Sequence, residues 1–274
     1  MLLKTKIVGV LNLTPDSFSD GRTYTLAELR EKIDSLIQAW ADIIDVGAES
    51  TAPGSPAVSY EEEIARLQDF FSICKEYTIP FSLDTMKSQI AEKWIKLGIK
   101  IINDVSWGRY DPEMLPLIGR HPRVKYIMMY CKNANGKADR EARVQGDIID
   151  IITKFFDQQI ATALSYDIKR SQLILDPGMG AFISPDYQDS VTILQQIKRV
   201  KKQFKLPLLL CPSRKWFLSK IAADNWPQDR LWSSLAASIF AVAQWAQFIR
   251  VHDVKEIRQF MQVWNELEWK KKRA

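Results

Sequence analysis

Short apolar runs alternate along the chain with longer stretches of helical periodicity, and almost every run ends on a polar residue followed by Gly, Pro, Ser or Thr. The runs are Ile7 to Asn12, Ile43 to Gly47, Phe81 to Thr85, Ile101 to Ser106, Val124 to Tyr130, Leu173 to Gly180, Leu208 to Ser213 and Phe248 to His252. Runs of this length between turn formers read as strands buried on both faces, the signature of a parallel sheet. The intervening segments carry apolar residues three and four apart. Leu26 to Trp40 puts Leu29, Ile33, Leu36, Ile37 and Trp40 on one face, and Ile148 to Tyr166 does the same with Ile151, Ile152, Phe155, Phe156 and Ile160. Further helices are predicted over Glu61 to Tyr77, Met86 to Leu97, Pro112 to Gly119, Asp189 to Phe204, Leu231 to Ala246 and Asp253 to Trp269, and Pro212-Ser-Arg-Lys215 turns into one that runs through Ile221. Thr85 is placed to cap the helix from Met86, and Gly98 to close it. Eight alternations of strand and helix predict a single (β/α)8 barrel, an α/β fold whose chemistry sits on the loops after the strands.

The 274 residues match the roughly 250 of one such barrel, so the chain reads as one domain over 1–274. Two loops stand out. Asn12 to Gly21 is dense in turn formers and side-chain oxygens and is long for a connection from strand to helix. The stretch from Cys131 to Gly146 is polar and has no periodicity, which marks it as the candidate for local disorder.

Charge and cysteines narrow the class. The net charge of +5, from 38 Lys and Arg against 33 Asp and Glu, fits a nucleic acid or an anionic substrate. Four of the positive charges fall in the terminal run Lys270-Lys-Lys-Arg273, which reads as a solvated helix end. No nucleic-acid module occurs elsewhere, so no nucleic-acid partner is expected. Cys74, Cys131 and Cys211 are odd in number and form no CxxC pair, which suits reduced thiols in a cytoplasmic protein. The N-terminus lacks a signal-peptide pattern, and no apolar run approaches the 18 or so residues of a membrane helix.

Collecting the residues at the strand ends gives Asn12, Asp45 with Glu49 and Thr51, Asp84, Asn103, Met128 or Met129, Asp176, Ser213 with Lys215, and Arg250 with His252. Asp84, Asn103, Asp176 and Lys215 offer donors and acceptors along the edge of a planar heterocycle. Asn12, Thr51, Arg250 and His252 suit an anion. Each also has a structural reading: Asp84 and Asp176 as helix caps, Asn103 satisfying a loop, Lys215 as a surface residue, Arg250 and His252 as a strand-end ion pair. Alternation puts Arg250 and His252 on one face of their strand, and so many polar groups at one barrel face are costly without a ligand. His121, before Pro122, reads as a surface turn.

The strings Asn12-Leu-Thr-Pro-Asp-Ser-Phe-Ser-Asp20, Asp42-Ile-Ile-Asp-Val-Gly47 with Glu49-Ser-Thr51, Ser82-Leu-Asp-Thr85, Ile101-Ile-Asn-Asp-Val105, Leu175-Asp-Pro-Gly178, Ser213-Arg-Lys215 and Arg250-Val-His-Asp253 together resemble dihydropteroate synthase, the folate-pathway enzyme. They run in register over nearly the whole chain. The resemblance implies a cytoplasmic transferase, a homodimer as is common in the family, in which p-aminobenzoate displaces pyrophosphate from 6-hydroxymethyl-7,8-dihydropterin diphosphate in an SN1-like step. It implies that Asp84, Asn103, Asp176 and Lys215 hold the pterin. Asn12, Thr51, Arg250 and His252 hold the diphosphate, with Mg²⁺ at Asn12. Ser213 and the first loop, with Phe18 and Asp20, close around p-aminobenzoate, and Met128 joins the substrate contacts. Asp84, Asp176, Lys215, Arg250 and His252 form the implied catalytic set. Asp176 stabilises the pterin cation, and Arg250, His252 and Mg²⁺ stabilise the departing anion.

Three departures from the family pattern matter. Ala52 stands where an Arg usually follows Glu-Ser-Thr, so one guanidinium for diphosphate or for the p-aminobenzoate carboxylate is missing. Met128-Met-Tyr130 replaces a Met-His pair. Ala181-Phe-Ile-Ser-Pro185 is similar to the sulfonamide-insensitive branch, which predicts Phe182 as a wall of the p-aminobenzoate site and sulfonamides as weak inhibitors. Competing readings are a pterin-binding paralogue without synthase activity, marked by Ala52, a methyltetrahydrofolate-binding barrel, disfavoured by the anion-side residues, and a generic phosphate-binding barrel.

Overall fold

The computed structural model describes residues 4–14, 24–141, 144–223 and 226–271. The predicted Phe18 and Asp20 contacts, the side chain of Trp269 and most of the basic run at the C-terminus lie outside the described residues. Eight strands run parallel in the described part: β1 (Lys6–Asn12), β2 (Ile43–Gly47), β3 (Phe81–Asp84), β4 (Ile101–Asp104), β5 (Lys125–Met129), β6 (Leu173–Asp176), β7 (Leu209–Leu210) and β8 (Phe248–Val251). Their order is β6-β5-β4-β3-β2-β1-β8-β7. A parallel bridge from Leu175 to Leu208, with the Leu175 N–H donating to the Pro207 carbonyl at 2.9 Å, joins the two ends. The sheet is a single (β/α)8 barrel, as the alternation predicts.

Around it lie α1 (Leu26–Gln38), α2 (Tyr60–Ile73), α3 (Ser88–Lys96), α4 (Met114–Arg120), α5 (Ile148–Ser165), α6 (Tyr187–Phe204), α7 (Phe217–Ala222), α8 (Leu231–Ala243) and α9 (Val254–Lys271). Local sequence sets several of their starts. Thr25 with Glu28 and Ser59 with Glu62 form capping boxes on α1 and α2, and the carboxylates of Asp147 and Asp186 accept the first free N–H groups of α5 and α6. No helix among the described residues is long and apolar enough to cross a membrane. Cys74, Cys131 and Cys211 are free and buried.

The period of two along each strand divides the core. Val8, Ile43, Ile127, Ile174 and Leu209 pack together inside the barrel, while their neighbours Ile7, Ile44, Met128, Leu175 and Leu210 face the helices. One step further along the same inward rows, the side chains change character. Val8 is followed by Val10 and Asn12, Ile43 by Asp45, Ile101 by Asn103, Ile174 by Asp176, Leu209 by Cys211, and Phe248 by Arg250 and His252. An apolar floor therefore supports a charged layer.

Local expectations fail where the chain turns. The helix from Leu26 stops at Gln38, and Trp40 sits at φ 66, so Trp40 and Ile37 are exposed instead of extending the buried face of Leu29, Ile33 and Leu36. Thr85 does not cap α3, which starts at Ser88 with Lys87 as its N-cap. The Thr85 hydroxyl instead accepts from the Lys87 N–H at 3.2 Å and donates to Glu63 at 2.6 Å. The expectation of disorder after β5 is not met over residues 131–141. This segment lacks regular structure but is pinned by backbone bonds from Lys132 to Phe182, Ala138 to Thr51 and Asp139 to Ala181.

Candidate active site

A cavity of about 630 Å³ opens at the C-terminal mouth of the barrel, bordered by Asn12, Thr51, Asp84, Phe182, Lys215 and Arg250 among others. Ser213 and His252 also line it. Asn103 and Asp176 lie in the charged layer beneath, both buried. Met128 is not part of the site. Ile127 packs inside the barrel, so alternation turns Met128 outward into the sheet–helix core, where it is fully buried, and points Met129 inward.

Arg250 is the centre of the charged layer. From β8 its Nε donates to Asp45 Oδ2 on β2 at 2.6 Å, and its Nη2 to Asp84 Oδ2 on β3 at 3.1 Å. Asn103 Nδ2 donates to the same Asp45 oxygen at 3.1 Å, while Asp45 Oδ1 is buried with no partner. The arginine expected to serve an anion is therefore already engaged by two carboxylates. Gly47 makes room for this arrangement, since a Cβ there would lie 3.3 Å from the Cβ of Asp84.

Burial and the Asp45 carboxylate push the pKa of Asp84 up to about 7, against the pull of Arg250. Burial raises Asp176 to about 6, opposed by the Gly178 N–H, which donates to its Oδ1 at 2.8 Å, and by Lys215 and Arg250. That bond closes the turn of Asp176-Pro-Gly178. Gly178 has φ 68, and a Cβ on it would meet the Tyr130 carbonyl at 2.2 Å, so no other residue fits. Burial, then Arg250, Arg214 and Lys215, depress His252 to about 3. His252 is thus neutral at pH 7, with Nδ1 3.0 Å from Ser213 Oγ.

The turn after β7 delivers Lys215. Arg214 has φ 57, its N–H donates to Ser234 Oγ at 2.8 Å, and its guanidinium grips Asp253 at 2.5 and 3.3 Å. So fastened, the turn sets Lys215 Nζ 4.5 Å from the centre of the Phe182 ring.

Several residues with large roles in this geometry carry no clear local signal. Asp45 looks like any strand acid. Glu63 reads as a helix-dipole acid at the start of α2, yet it is fully buried and takes Lys87 Nζ at 2.6 Å, and Lys87 also reaches Glu49 at 2.6 Å. Lys137, from the loop after β5, completes the network on Glu49 at 2.6 Å. The Glu-Ser-Thr string was the one available pointer to it.

The comparisons agree with this geometry. The profile described as pterin binding enzyme matches residues 8–252. The chain is 34% identical over 262 residues to a dihydropteroate synthase of Synechocystis, covering 95% of this chain and 89% of that protein. It is 36% identical over 272 residues to the folic acid synthesis protein fol1 of Pneumocystis carinii, covering 96% of this chain but spanning only 36% of that longer protein. The solved dihydropteroate synthase of Xanthomonas albilineans with 4-aminobenzoic acid superposes with a TM-score of 0.87 at 29% identity, covering 97% of this chain and 93% of that one. A barrel with this charged layer, matched to these proteins over nearly its whole length, belongs to the pterin binding enzyme family, among the dihydropteroate synthases.

Proposed function

We propose that the chain condenses p-aminobenzoate with 6-hydroxymethyl-7,8-dihydropterin diphosphate, giving 7,8-dihydropteroate and pyrophosphate. The observation that carries this reading is the pair of carboxylates, Asp84 bordering the cavity and Asp176 buried beneath it, set into one layer with Arg250 under a mouth lined by Lys215, Ser213 and His252. Asp84, Asn103 and Asp176 match the alternating donors and acceptors of a pterin edge, and Lys215 supplies a further donor. As the C–O bond to the diphosphate breaks, positive charge spreads over the pterin. Asp176 opposes it without any rearrangement, and a buried carboxylate acts strongly there because water is excluded. His252 and Asn12 donate to the departing oxygens. The arylamine attacks the exposed carbon with its own lone pair and loses a proton to solvent or pyrophosphate.

Mg²⁺ fits this site as a substrate-borne ion. No cluster of three His, Cys, Asp or Glu able to hold a metal occurs among the described residues, but Asn12 lines the cavity with a hard oxygen, and Mg²⁺ commonly takes only one or two protein oxygens alongside phosphate oxygens. Held there with the diphosphate, the ion would supply positive charge opposite the leaving group. Thr51 and Phe182 line the same cavity, Thr51 toward the diphosphate and Phe182 as a wall for p-aminobenzoate. The exposed Trp232 and Phe240 of α8 suit a homodimer face, and the free buried thiols suit a cytoplasmic setting.

The reading is tested by pyrophosphate release from the purified protein with dihydropterin diphosphate, Mg²⁺ and p-aminobenzoate. Release is expected to need p-aminobenzoate and to disappear in Asp84→Ala and Lys215→Ala. Pterin binding without release identifies a binding paralogue instead. With Phe182 in the cavity wall, sulfamethoxazole is expected to inhibit with a constant well above the Michaelis constant for p-aminobenzoate; equality of the two refutes that expectation.

A further inference from the structure

We propose that Arg140, on the loop after β5, binds the carboxylate of the arylamine substrate and so sets the preference for an aminobenzoate over an uncharged aniline. The inference rests on the synthase reading for the identity of that substrate.

Arg140 lines the same cavity as Lys215 and Ser213. Its side chain is not there by chance of a loose loop, because the residues before it are fastened on two sides of the barrel mouth. Lys137 Nζ donates to Glu49 Oε1 at 2.6 Å and to the Ser50 carbonyl at 2.8 Å, and the Ala138 N–H donates to the Thr51 carbonyl at 3.0 Å, all on the loop after β2. The Asp139 N–H donates to the Ala181 carbonyl at 3.1 Å, on the loop after β6, which stands across the barrel from β2. Residues 137–139 therefore bridge the mouth, and Arg140 follows at the β6 and β7 side.

Its charge is available there. The neighbouring Asp139 carboxylate is taken by Lys132 at 3.2 Å, and Arg140 pairs with no carboxylate among the described residues. By contrast Arg250 holds Asp45 and Asp84, and Arg214 holds Asp253. The Arg140 guanidinium lies 5.9 Å from the centre of the Trp216 ring, and Trp216 and Phe182 give this side of the cavity an aromatic wall. A planar ring bearing an anionic group fits such a wall with a cation at its edge. Asn12 and Arg250 belong to β1 and β8 and His252 follows β8 directly, and β5, where the Arg140 loop begins, stands four strands away from β1 around the sheet. The two ends of the cavity thus divide two anions, with diphosphate at one and carboxylate at the other. Ala52, also in the lining, leaves the loop after β2 without a guanidinium beside Thr51, and Arg140 brings one to the cavity from the facing side.

The test is binding of 4-aminobenzoate and of the uncharged 4-aminobenzamide by calorimetry, with pyrophosphate and Mg²⁺ present, to the wild type, Arg140→Ala and Arg140→Lys. The wild type is expected to favour the carboxylate by about tenfold or more, Arg140→Ala to lose most of that preference, and Arg140→Lys to keep part of it. In turnover, Arg140→Ala is expected to raise KM for p-aminobenzoate about tenfold, with kcat within threefold and KM for dihydropterin diphosphate unchanged. A carboxylate preference untouched by Arg140→Ala, no such preference in the wild type, no measurable binding of either compound, or a KM change confined to dihydropterin diphosphate overturns the proposal. If the preference and its loss are found in a wild type that releases no pyrophosphate, the synthase reading fails while the assignment of Arg140 stands.

Discussion

Replacing Arg250 by Ala is expected to cost about 3–5 kcal/mol of stability, the range found when one partner of a buried charge pair is removed. The reason is the company it keeps. Asp45 is fully buried, one of its oxygens has no partner, and the other depends on Arg250 and Asn103. Asp84 draws its counter-charge from the same guanidinium at 3.1 Å. Without Arg250, two carboxylates face each other in a dry layer, and either a proton or water must enter. Activity is expected to fall to background as well, since the charged layer loses its geometry. A loss of less than about 1 kcal/mol in denaturant unfolding would show that Arg250 is not the centre of the layer. Adding Asp45→Asn to the Ala variant removes one of the stranded charges, so most of the stability is expected to return while activity does not.

Asp84→Asn is expected to separate stability from function in the opposite sense. A carboxyl that titrates near 7 in the folded state and near its ordinary 3.8 when unfolded holds its proton more tightly in the native protein. Native stability therefore falls as pH rises through the window from about 4 to 7, and above it the ionised Asp84 is a cost. Asn removes that cost. Because the side chain is one-fifth exposed and still paired with Arg250, only part of the shift survives as stability. The ligand-free variant is expected to exceed the wild type by on the order of 1–3 kcal/mol at pH 8, and by nothing near pH 4. For catalysis the carboxylate is needed as an acceptor for pterin N–H groups. In the wild type, kcat/KM for dihydropterin diphosphate is expected to rise between pH 5 and 8 with a midpoint near 7, and Asp176, near 6, steepens the acid limb. Asn turns one acceptor into a donor, so a fall of about 10²–10³-fold is expected, from the loss of two charge-assisted hydrogen bonds. A flat profile over that range would rule out Asp84 as the ionising group.

These carboxylates also show where reading the chain by itself succeeds. Asp84, Asp176, Lys215, Arg250 and His252 stand at or just after strand ends because the barrel places its loops there, and the apolar runs before them are local features. The capping boxes of Thr25 with Glu28 and Ser59 with Glu62, seen in the structure, are equally local and fix the observed starts of α1 and α2. Met128 and Met129 mark the limit. They are alike in the sequence, and only the pairing of Ile127 with the barrel interior decides which of the two faces inward.

The same limit governs the site as a whole. Sequence alone determined the fold class, because periods of two and of 3.6 residues are properties of neighbouring positions, and it determined which strand ends carry polar groups. It did not determine how those groups share charge. Arg250 meets Asp45 across 205 positions and Asp84 across 166, and Lys137 meets Glu49 across 88. Nothing in a local pattern says which carboxylate a given cation will face once the sheet has closed, nor that Glu63 will be buried against Lys87 rather than exposed at a helix start. Only the closed barrel brings these charges within reach of one another, and it does so in surroundings dry enough to shift their protonation.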